Sequence, residues 1–284
     1  MSGTLYLCAT PIGNLEDITL RVLRLLREVD IIAAEDTRHT RKLLNHFEIT
    51  TPLTSYHEHN SRVKGSRLIN LLQSGKNIAL VTDAGMPAIS DPGTDIVRLC
   101  HARNIPVTCA PGASAQSAAL AISGLSSDSF SFEGFLPRET KPRRERILEL
   151  TNERRTCIFY EAPHRLQEAV ADLAAHLHPE RNVAVISELT KLHEKTIIGP
   201  ISEVAARIAE LVPRGEFVIV VEGVAESKIL AQERAEFDNM TIAEHVEAYV
   251  ATGLDTKEAM KAVARDRGIG KSTVYKKLLD DKPK

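Results

Sequence analysis

Short apolar runs alternate with amphipathic segments over the first 112 or so residues of the chain. The runs are rich in aliphatic and β-branched residues, as strands are, and the segments between them carry apolar residues at helical spacing. This alternation predicts a mostly parallel sheet that is wrapped by helices. The predicted strands are 4–9, 30–34, 52–55, 77–82 and 105–109, and the predicted helices are 19–29, 38–47, 61–74 and 94–103.

A second block with a different rhythm begins near Phe130. Ile197 follows Glu188 too closely for a helical crossover, so the two strands that contain these residues should be antiparallel neighbours and the second sheet should be mixed. The predicted strands of this block are 156–161, 183–188, 195–199 and 216–222, and the predicted helices are 163–177 and 202–211.

The pattern changes again after Val224. A polar, charged stretch over 225–239 precedes three short helices, which are predicted at 241–251, 256–267 and 271–280. Glycines at 268 and 270 between the last two helices are typical of a helix-turn-helix-like tail. The chain is therefore predicted to hold an N-terminal α/β domain over 1–115, a C-terminal α/β domain over 116–224, and a linker with a helical tail domain over 225–284.

Four predicted strands of the first block end in acids, glycines or prolines. Ligands of open α/β sheets bind beyond the carboxyl ends of such strands, so the four ends predict one crevice lined by several loops. In the most informative loop, Asp83 lies where a carboxylate could accept hydrogen bonds from an amine, an amide or a ribose; a capped structural turn is the alternative. The four segments are 10–14, 35–39, 83–93 and 111–114.

Composition and charge place the chain among ordinary globular proteins. Of its 284 residues, 43% are hydrophobic and 26% charged, and the formal net charge is −2, which gives no overall signature of nucleic-acid binding. Basic residues concentrate locally at 137–146 and 257–284, where each group is either a phosphate-binding surface or a solvated face. Four widely separated cysteines without metal-ligand spacing, and no secretion signal or bilayer-length apolar run, predict a cytoplasmic protein.

Eight short motifs occur in a fixed order and together resemble the tetrapyrrole-methylase superfamily, in particular its members that methylate ribosomal RNA. The resemblance covers about residues 5–223, and the helical tail is also similar. Met86 departs from the pattern, because the family more often has a threonine there. The motifs are TPIGNLEDIT, AAEDTRHT, LVTDAGMPAISDPG, PGASA, EGFLPR, FYEAPHRL, ELTK and GEFVIVVEG.

This resemblance implies methyl transfer from S-adenosyl-L-methionine to the ribose 2′-oxygen of a cytidine in the decoding region of small-subunit ribosomal RNA. It also implies a homodimer of chains, each with two αβα domains and the cofactor in the cleft between them, without a metal. The cofactor-binding residues that the resemblance implies are Pro11, Ile12, Gly13, Asp83, Ala84, Gly85, Met86, Pro87, Ser114, Ala115, Glu161 and Ala162.

Methyl transfer to a ribose hydroxyl needs alignment of the reacting atoms and benefits from a base or a cation near the oxygen. The candidates are not ranked, and for each of them orienting the substrate or binding a phosphate is favoured over accepting the proton. The catalytic candidates are Glu35, Asp36, Arg38, Glu188 and Lys191, with the His57–His59 segment as a further one. The candidate RNA-binding residues are Arg138, Arg143, Arg144, Lys271, Lys276 and Lys277.

Three functions from different classes remain open on the sequence. The first is the RNA ribose methyltransferase. The second is a related methylase that acts on a tetrapyrrole or a translation factor, and the third is a regulator that binds nucleic acid without catalysis. The basic stretches favour RNA over a tetrapyrrole, and the intact strand-end loops argue against a pure regulator.

Overall fold

The computed structural model describes residues 2–57, 61–224, 240–251, 254–267 and 269–280. The chain forms two compact units: Met1–Thr151 with Arg155–Glu222, and Asn152–Arg154 with Gly223–Lys284. The first unit holds two five-stranded sheets, and the second holds the tail helices.

The first sheet is parallel throughout, as the alternating pattern predicts. Its strands are arranged in the order β3-β2-β4-β1-β5. All their carboxyl ends therefore lie at one edge of the sheet. The strands are β1 (Leu5–Cys8), β2 (Ile31–Ala34), β3 (Leu53–Ser55), β4 (Ile78–Val81) and β5 (Val107–Ala110).

The second sheet is mixed, which also agrees with the prediction. Its order is β6-β7-β10-β8-β9; β6 runs parallel to β7, whereas β10 is antiparallel to both β7 and β8, and β8 is antiparallel to β9. The strands are β6 (Phe130–Phe135), β7 (Thr156–Glu161), β8 (Asn182–Ser187), β9 (Lys195–Pro200) and β10 (Phe217–Val221).

Helices cover both faces of each sheet. The first sheet packs one face on α1 and α2 through side chains such as Leu26, and the other on α3 and α4 through side chains such as Leu72. The second sheet packs against α6, α7 and α8 on one face and α5 on the other. The helices are α1 (Leu20–Glu28), α2 (Thr37–His46), α3 (Ser61–Gln73), α4 (Gly93–His101), α5 (Ala115–Ser123), α6 (Thr140–Glu149), α7 (Pro163–His176) and α8 (Ile201–Ala209).

The tail helices form a small apolar core of their own around Val246, Val263 and Val274. They are α9 (Ile242–Ala251), α10 (Thr256–Asp266) and α11 (Lys271–Asp280), which agree with the three predicted helices. Arg267 ties the unit together because its side chain donates hydrogen bonds to Nδ1 of His245 and to the Met240 carbonyl. The predicted linker over 225–239 and Gly268 of the predicted turn lie outside the described residues.

Three elements that lie between β5 and β7 in the chain were not predicted: α5, β6 and α6. Their sequences carry weak signals, because α5 is built mainly from alanine and serine and α6 is dominated by charged residues with Pro142 in its first turn. Proline is tolerated there because the first-turn N–H groups have no partner within the helix. The predicted division of the two α/β domains at residues 115 and 116 remains a prediction.

Candidate active site

A cavity of about 470 Å³ lies between the strand ends of the two sheets of the first unit. We call the residues that follow strands of the first sheet the first wall: Ile12, Glu35, Thr82, Ala84, Gly85, Met86, Ile89, Ser90, Asp91, Ser114, Ala115 and Gln116. We call those from the second sheet the second wall: Phe135, Tyr160, Glu161, Ala162, Pro163, Glu188, Leu189, Lys191, Glu216, Phe217 and Val218.

The first wall is fixed by backbone bonds between the ends of β1 and β4. Thr10 and Gly85 exchange two hydrogen bonds, with Thr10 N–H donating to Gly85 O at 2.9 Å and Gly85 N–H donating to Thr10 O at 3.1 Å. Gly85 has a φ of +81°, a conformation that favours glycine. A Cβ there would lie 3.4 Å from Ile12 Cγ2, so the loop after β4 packs closely on the loop after β1.

Acidic side chains at the first wall are held by backbone N–H groups and a hydroxyl. Thr82 Oγ1 donates to Glu35 Oε2 at 2.7 Å, and the Gly93 N–H donates to Asp91 Oδ1 at 2.6 Å. Beside the wall, the Asp36 N–H donates to Asp83 Oδ1 at 3.1 Å, which joins the ends of β2 and β4. Neutral donors thus orient these carboxylates and leave much of their charge uncompensated.

The electrostatics of these acids follows from that arrangement. Burial raises the pKa of Asp83 and of Asp91, and the negative charge of Glu35 raises both further. Asp36 differs, because hydrogen bonds from the exposed Arg38 side chain lower its pKa to about 2. The edge of the first sheet therefore holds two acids whose pKa is raised beside one whose pKa is lowered and which is ionised throughout the physiological range.

Glu161 is the most buried acid of the second wall, with a residue exposure of 2%. Its Oε1 accepts a hydrogen bond from the Ala162 N–H at 2.8 Å, and the Arg165 Nε lies 3.5 Å from the same oxygen. Its other oxygen, Oε2, is buried and has no hydrogen-bond partner among the described residues. Burial raises the pKa of Glu161, so a ligand donor at Oε2 would satisfy a group that the fold leaves unpaired.

Aromatic and aliphatic side chains make up much of the rest of the second wall. The Tyr160 hydroxyl donates to Gln116 Oε1 at 2.6 Å and so connects the two walls. The Tyr160 ring packs on Phe132 and Phe135 with centroid distances of 4.8 and 5.8 Å. Such a surface suits a flat heterocycle like adenine.

The two walls also touch at Gly13. A Cβ on Gly13 would lie 2.8 Å from Lys191 Cγ and 2.9 Å from the Leu189 carbonyl oxygen, so only glycine fits against the loop after β8. In that loop Lys191 Nζ and Glu188 Oε1 form an ion pair at 2.9 Å. Glu188 has a φ of +53°, a conformation that non-glycine residues rarely adopt outside functional or tightly constrained loops.

The structure brings together most of the predicted cofactor residues. Eight of them line the cavity: Ile12, Ala84, Gly85, Met86, Ser114, Ala115, Glu161 and Ala162. Pro11, Gly13, Asp83 and Pro87 are not among the lining residues, although Gly13 and Asp83 hold the adjacent loops in place. Of the catalytic candidates, Glu35, Glu188 and Lys191 line the cavity, whereas Asp36 and Arg38 do not. Their catalytic roles remain predictions.

Several wall residues were missed because β10 runs in the opposite direction. Its antiparallel pairing places Phe217 opposite Glu161 of β7 and Ser187 of β8, so the beginning of β10 meets the ends of its neighbours. Glu216, Phe217 and Val218 therefore reach the cavity from an amino end, where the strand-end rule gives no signal. The motifs GEFVIVVEG and FYEAPHRL contain these residues and Tyr160, and would have located them.

One RNA-binding prediction needs correction. Arg143 is only 1% exposed; it pairs with Asp172 at 2.7 Å and with Glu168, and it donates to the Arg138 carbonyl. Its guanidinium is therefore committed to packing α6 against α7 and cannot meet a phosphate. Arg138 and Arg144 are exposed, as are Lys271, Lys276 and Lys277 of the tail, and their contact with RNA remains a prediction.

Within the described part of the chain, no group of three or more His, Cys, Asp and Glu side chains is placed to hold a metal ion. Glu58 and His59 of the predicted His57–His59 candidate lie outside the described residues. None of the described helices combines the length and the hydrophobicity that a bilayer-spanning helix requires.

Comparison with known sequences gives a family match and close relatives. Residues 4–205 match the family model of Tetrapyrrole (Corrin/Porphyrin) Methylases. The chain is 49% identical to ribosomal RNA small subunit methyltransferase I of Halalkalibacterium halodurans, over 96% of this chain and 93% of that protein. It is 45% identical to the protein of the same name from Synechocystis sp., over 98% of each.

Solved structures share the fold at low sequence identity. The uroporphyrin-III-C-methyltransferase of Thermus thermophilus is similar with a TM-score of 0.55 and 21% identity, over 77% of this chain and 94% of that one. A diphthine synthase is similar with a TM-score of 0.59 and 16% identity, over 78% of this chain and 90% of that one. These likenesses establish the two-sheet architecture.

Proposed function

The chain belongs to the tetrapyrrole methylase family, and we propose that it methylates the ribose 2′-oxygen of a cytidine in the decoding region of small-subunit ribosomal RNA. It is a methyltransferase that uses S-adenosyl-L-methionine. The observation that supports this substrate is the 49% identity to a ribosomal RNA small subunit methyltransferase over 96% of the chain, tail included.

The cavity suits the cofactor in size and chemistry. Adenine would pack on the aromatic side chains of the second wall, and the unpaired Oε2 of Glu161 would accept a hydrogen bond from a ligand donor. The rest of the cofactor would have room beside the backbone of Gly85 and the small side chains of Ala84, Ala115 and Ala162. When bound, S-adenosyl-L-methionine supplies a methyl group that is activated by its sulfonium.

The protein's own part in the reaction is alignment and exclusion of water. Both walls would hold the ribose oxygen in line with the methyl group, and such alignment lowers the barrier because the entropy of bringing the reacting atoms together is lost on binding. Glu35, Glu188 and Lys191 line the same cavity and are available to orient the ribose or a phosphate.

Exposed basic residues would hold the RNA. Arg138 and Arg144 belong to the loop and helix that follow β6, whose last residue, Phe135, lines the cavity. Lys271, Lys276 and Lys277 present further positive charge on the tail. The proposal includes a homodimer, which the family resemblance implies, and a cytoplasmic location, as expected of an enzyme that acts on ribosomal RNA or the small subunit.

The test uses purified chain, isolated small ribosomal subunits and isotope-labelled S-adenosyl-L-methionine. Nucleoside digestion and mass spectrometry should yield labelled 2′-O-methylcytidine. A label on a base, or transfer to a tetrapyrrole or a protein but not to RNA, would contradict the proposal. Naked RNA, included as a second substrate, would distinguish an enzyme that acts on RNA alone from one that needs the assembled subunit.

A further inference from the structure

Asp91 is an acid of the first wall to which no role has been assigned. It lies in the loop between β4 and α4, and the Gly93 N–H holds its Oδ1 at 2.6 Å. The other oxygen, Oδ2, is buried and has no hydrogen-bond partner among the described residues. Asp91 therefore lines the cavity with one oxygen anchored and one oxygen uncommitted.

The loop around Asp91 is held in a conformation that its sequence does not favour. Ala88 and Ser90, neither of them a glycine, have φ values of 67° and 58°. Gly93 packs so tightly that a Cβ would lie 2.7 Å from Asp91 Oδ1 and 2.9 Å from the Ala88 nitrogen. Backbone conformations of this kind persist where the surroundings enforce them, and they concentrate at active sites. The tight packing thus fixes the position of the Asp91 carboxylate.

Three other carboxylates of the cavity each have a side-chain partner, whereas Asp91 has none among the described residues. Glu35 Oε2 accepts a hydrogen bond from Thr82, and Glu188 forms an ion pair with Lys191. Glu161 also has an unpaired oxygen, but the Arg165 guanidinium beside it stabilises its ionised form. Asp91 has only backbone donors on Oδ1, and burial together with the like charge of Glu35 raises its pKa.

Building on the proposed function, we propose that Asp91 is the general base of the methyl transfer. The ribose 2′-oxygen forms a bond to the methyl carbon while the carbon–sulfur bond breaks, and the electron pair of that bond stays on sulfur. The hydroxyl proton passes to Asp91 Oδ2. A sulfonium, a neutral hydroxyl and a carboxylate thereby become a neutral thioether, a neutral ether and a carboxylic acid, which returns its proton to water after product release.

The environment of Asp91 is consistent with this role. Burial and the charge of Glu35 raise its pKa, and a carboxylate with a raised pKa is a stronger proton acceptor near neutral pH. Tyr56, which also lies near Asp91, has a pKa raised to about 12 by burial and stays neutral. The other ionisable wall groups that a pH profile must consider are Tyr160, Glu161, Glu188, Lys191 and Glu216.

Asp91→Asn is the primary test. The asparagine Oδ1 can still accept a hydrogen bond from the Gly93 N–H, but Oδ2 is replaced by an amide nitrogen that cannot accept a proton. The matched control is Asp95→Asn, the same change at an exposed position four residues further along. Binding of S-adenosylhomocysteine is measured by calorimetry and methyl transfer in single-turnover reactions at several pH values.

We expect Asp91→Asn to lower the transfer rate on the order of 10²- to 10⁴-fold, with S-adenosylhomocysteine affinity unchanged. The wild-type rate should rise with pH and level off, Asp91→Asn should lack this rise, and Asp91→Glu, which keeps a carboxylate, should regain it. A rate near wild type in Asp91→Asn, a parallel loss of S-adenosylhomocysteine affinity, or flat profiles in both variants would overturn the assignment. Absence of transfer to RNA by the wild type would instead refute the proposed function.

Discussion

The two walls of the cavity both carry acids, but they hold them by different means. At the first sheet, neutral donors orient the carboxylates: a hydroxyl for Glu35 and backbone N–H groups for Asp83 and Asp91. At the second sheet, cations lie beside them: Arg165 beside Glu161 and Lys191 beside Glu188. The first wall therefore keeps negative charge available for chemistry, whereas the second wall uses charge pairs to fix the positions of its acids.

The second sheet extends this use of cations beneath its wall. Arg143 and Arg165 both donate to the segment after β6, Arg143 to the Arg138 carbonyl and Arg165 to the carbonyls of Leu136 and Pro137. Because Arg165 also lies beside Glu161, one set of arginines connects the cavity with the loop that carries the proposed RNA contact Arg138. Disrupting this set should therefore affect folding and binding more than proton transfer.

Arg143→Ala should give the largest effect. It leaves the nearly buried Asp172 without its main partner, and removing one member of a buried pair costs about 3–5 kcal/mol of unfolding free energy. Arg144→Ala is the control, because Arg144 contacts the same Asp172 but its side chain is 55% exposed, and an exposed pair contributes about 1 kcal/mol or less. Urea unfolding measures the free energy of unfolding of both variants.

Equal losses of unfolding free energy in the two variants would contradict the structural role of Arg143.

The same two variants also test the corrected assignment of the RNA-binding surface. The salt dependence of RNA binding should weaken in Arg144→Ala, because a phosphate contact releases counterions. Arg143→Met replaces the arginine with an uncharged, unbranched side chain. If this variant folds, its RNA binding should keep the wild-type salt dependence.

Glu161→Gln should give an intermediate effect, on cofactor binding. The amide can still accept from the Ala162 N–H, but its second polar atom becomes a donor and cannot replace the unpaired Oε2. Loss of a charged acceptor should cost about 1.5–3 kcal/mol of binding free energy, which lowers the affinity for S-adenosyl-L-methionine on the order of tenfold or more. Calorimetry with Glu188→Gln as the control would measure it, and an unchanged affinity would remove Glu161 from the binding site.

The pH dependence of the same complex gives a second measure of Glu161. Burial raises its pKa in the free protein, so fold stability declines as the pH rises through that pKa, because the ionised form is poorly solvated. A ligand donor at Oε2 favours the ionised form. Affinity of the wild type should therefore increase with pH over the same interval, and affinity of Glu161→Gln should not.

Glu35→Gln should give the smallest effect and concerns the first wall. The glutamine can still accept from Thr82, but the negative charge that raises the pKa of Asp91 and Asp83 is gone. Both pKa values should fall only in part, since burial, which is the larger cause, remains. Carboxyl NMR titration would detect this shift, and unchanged values would show that the first-wall acids do not interact.

The first wall was largely predictable and the second wall was not, for a physical reason. In a parallel sheet every carboxyl end lies at one edge, so the runs before Ile12, Glu35 and Asp83 predict that the following loops converge. In the mixed sheet β10 brings its amino end to the same place, and the local pattern around Phe217 gives no sign of it. Burial of Arg143 was equally invisible, because the segment 137–146 has the composition of an exposed basic surface.

We expect one cofactor molecule to be held between the two walls. A crystal structure of the chain with S-adenosylhomocysteine tests this expectation most directly. We predict a single ligand that contacts the backbone near Gly85 of the first wall and lies within hydrogen-bonding distance of Glu161 in the second. A ligand bound outside this cavity, or one that touches only one wall, would contradict this prediction.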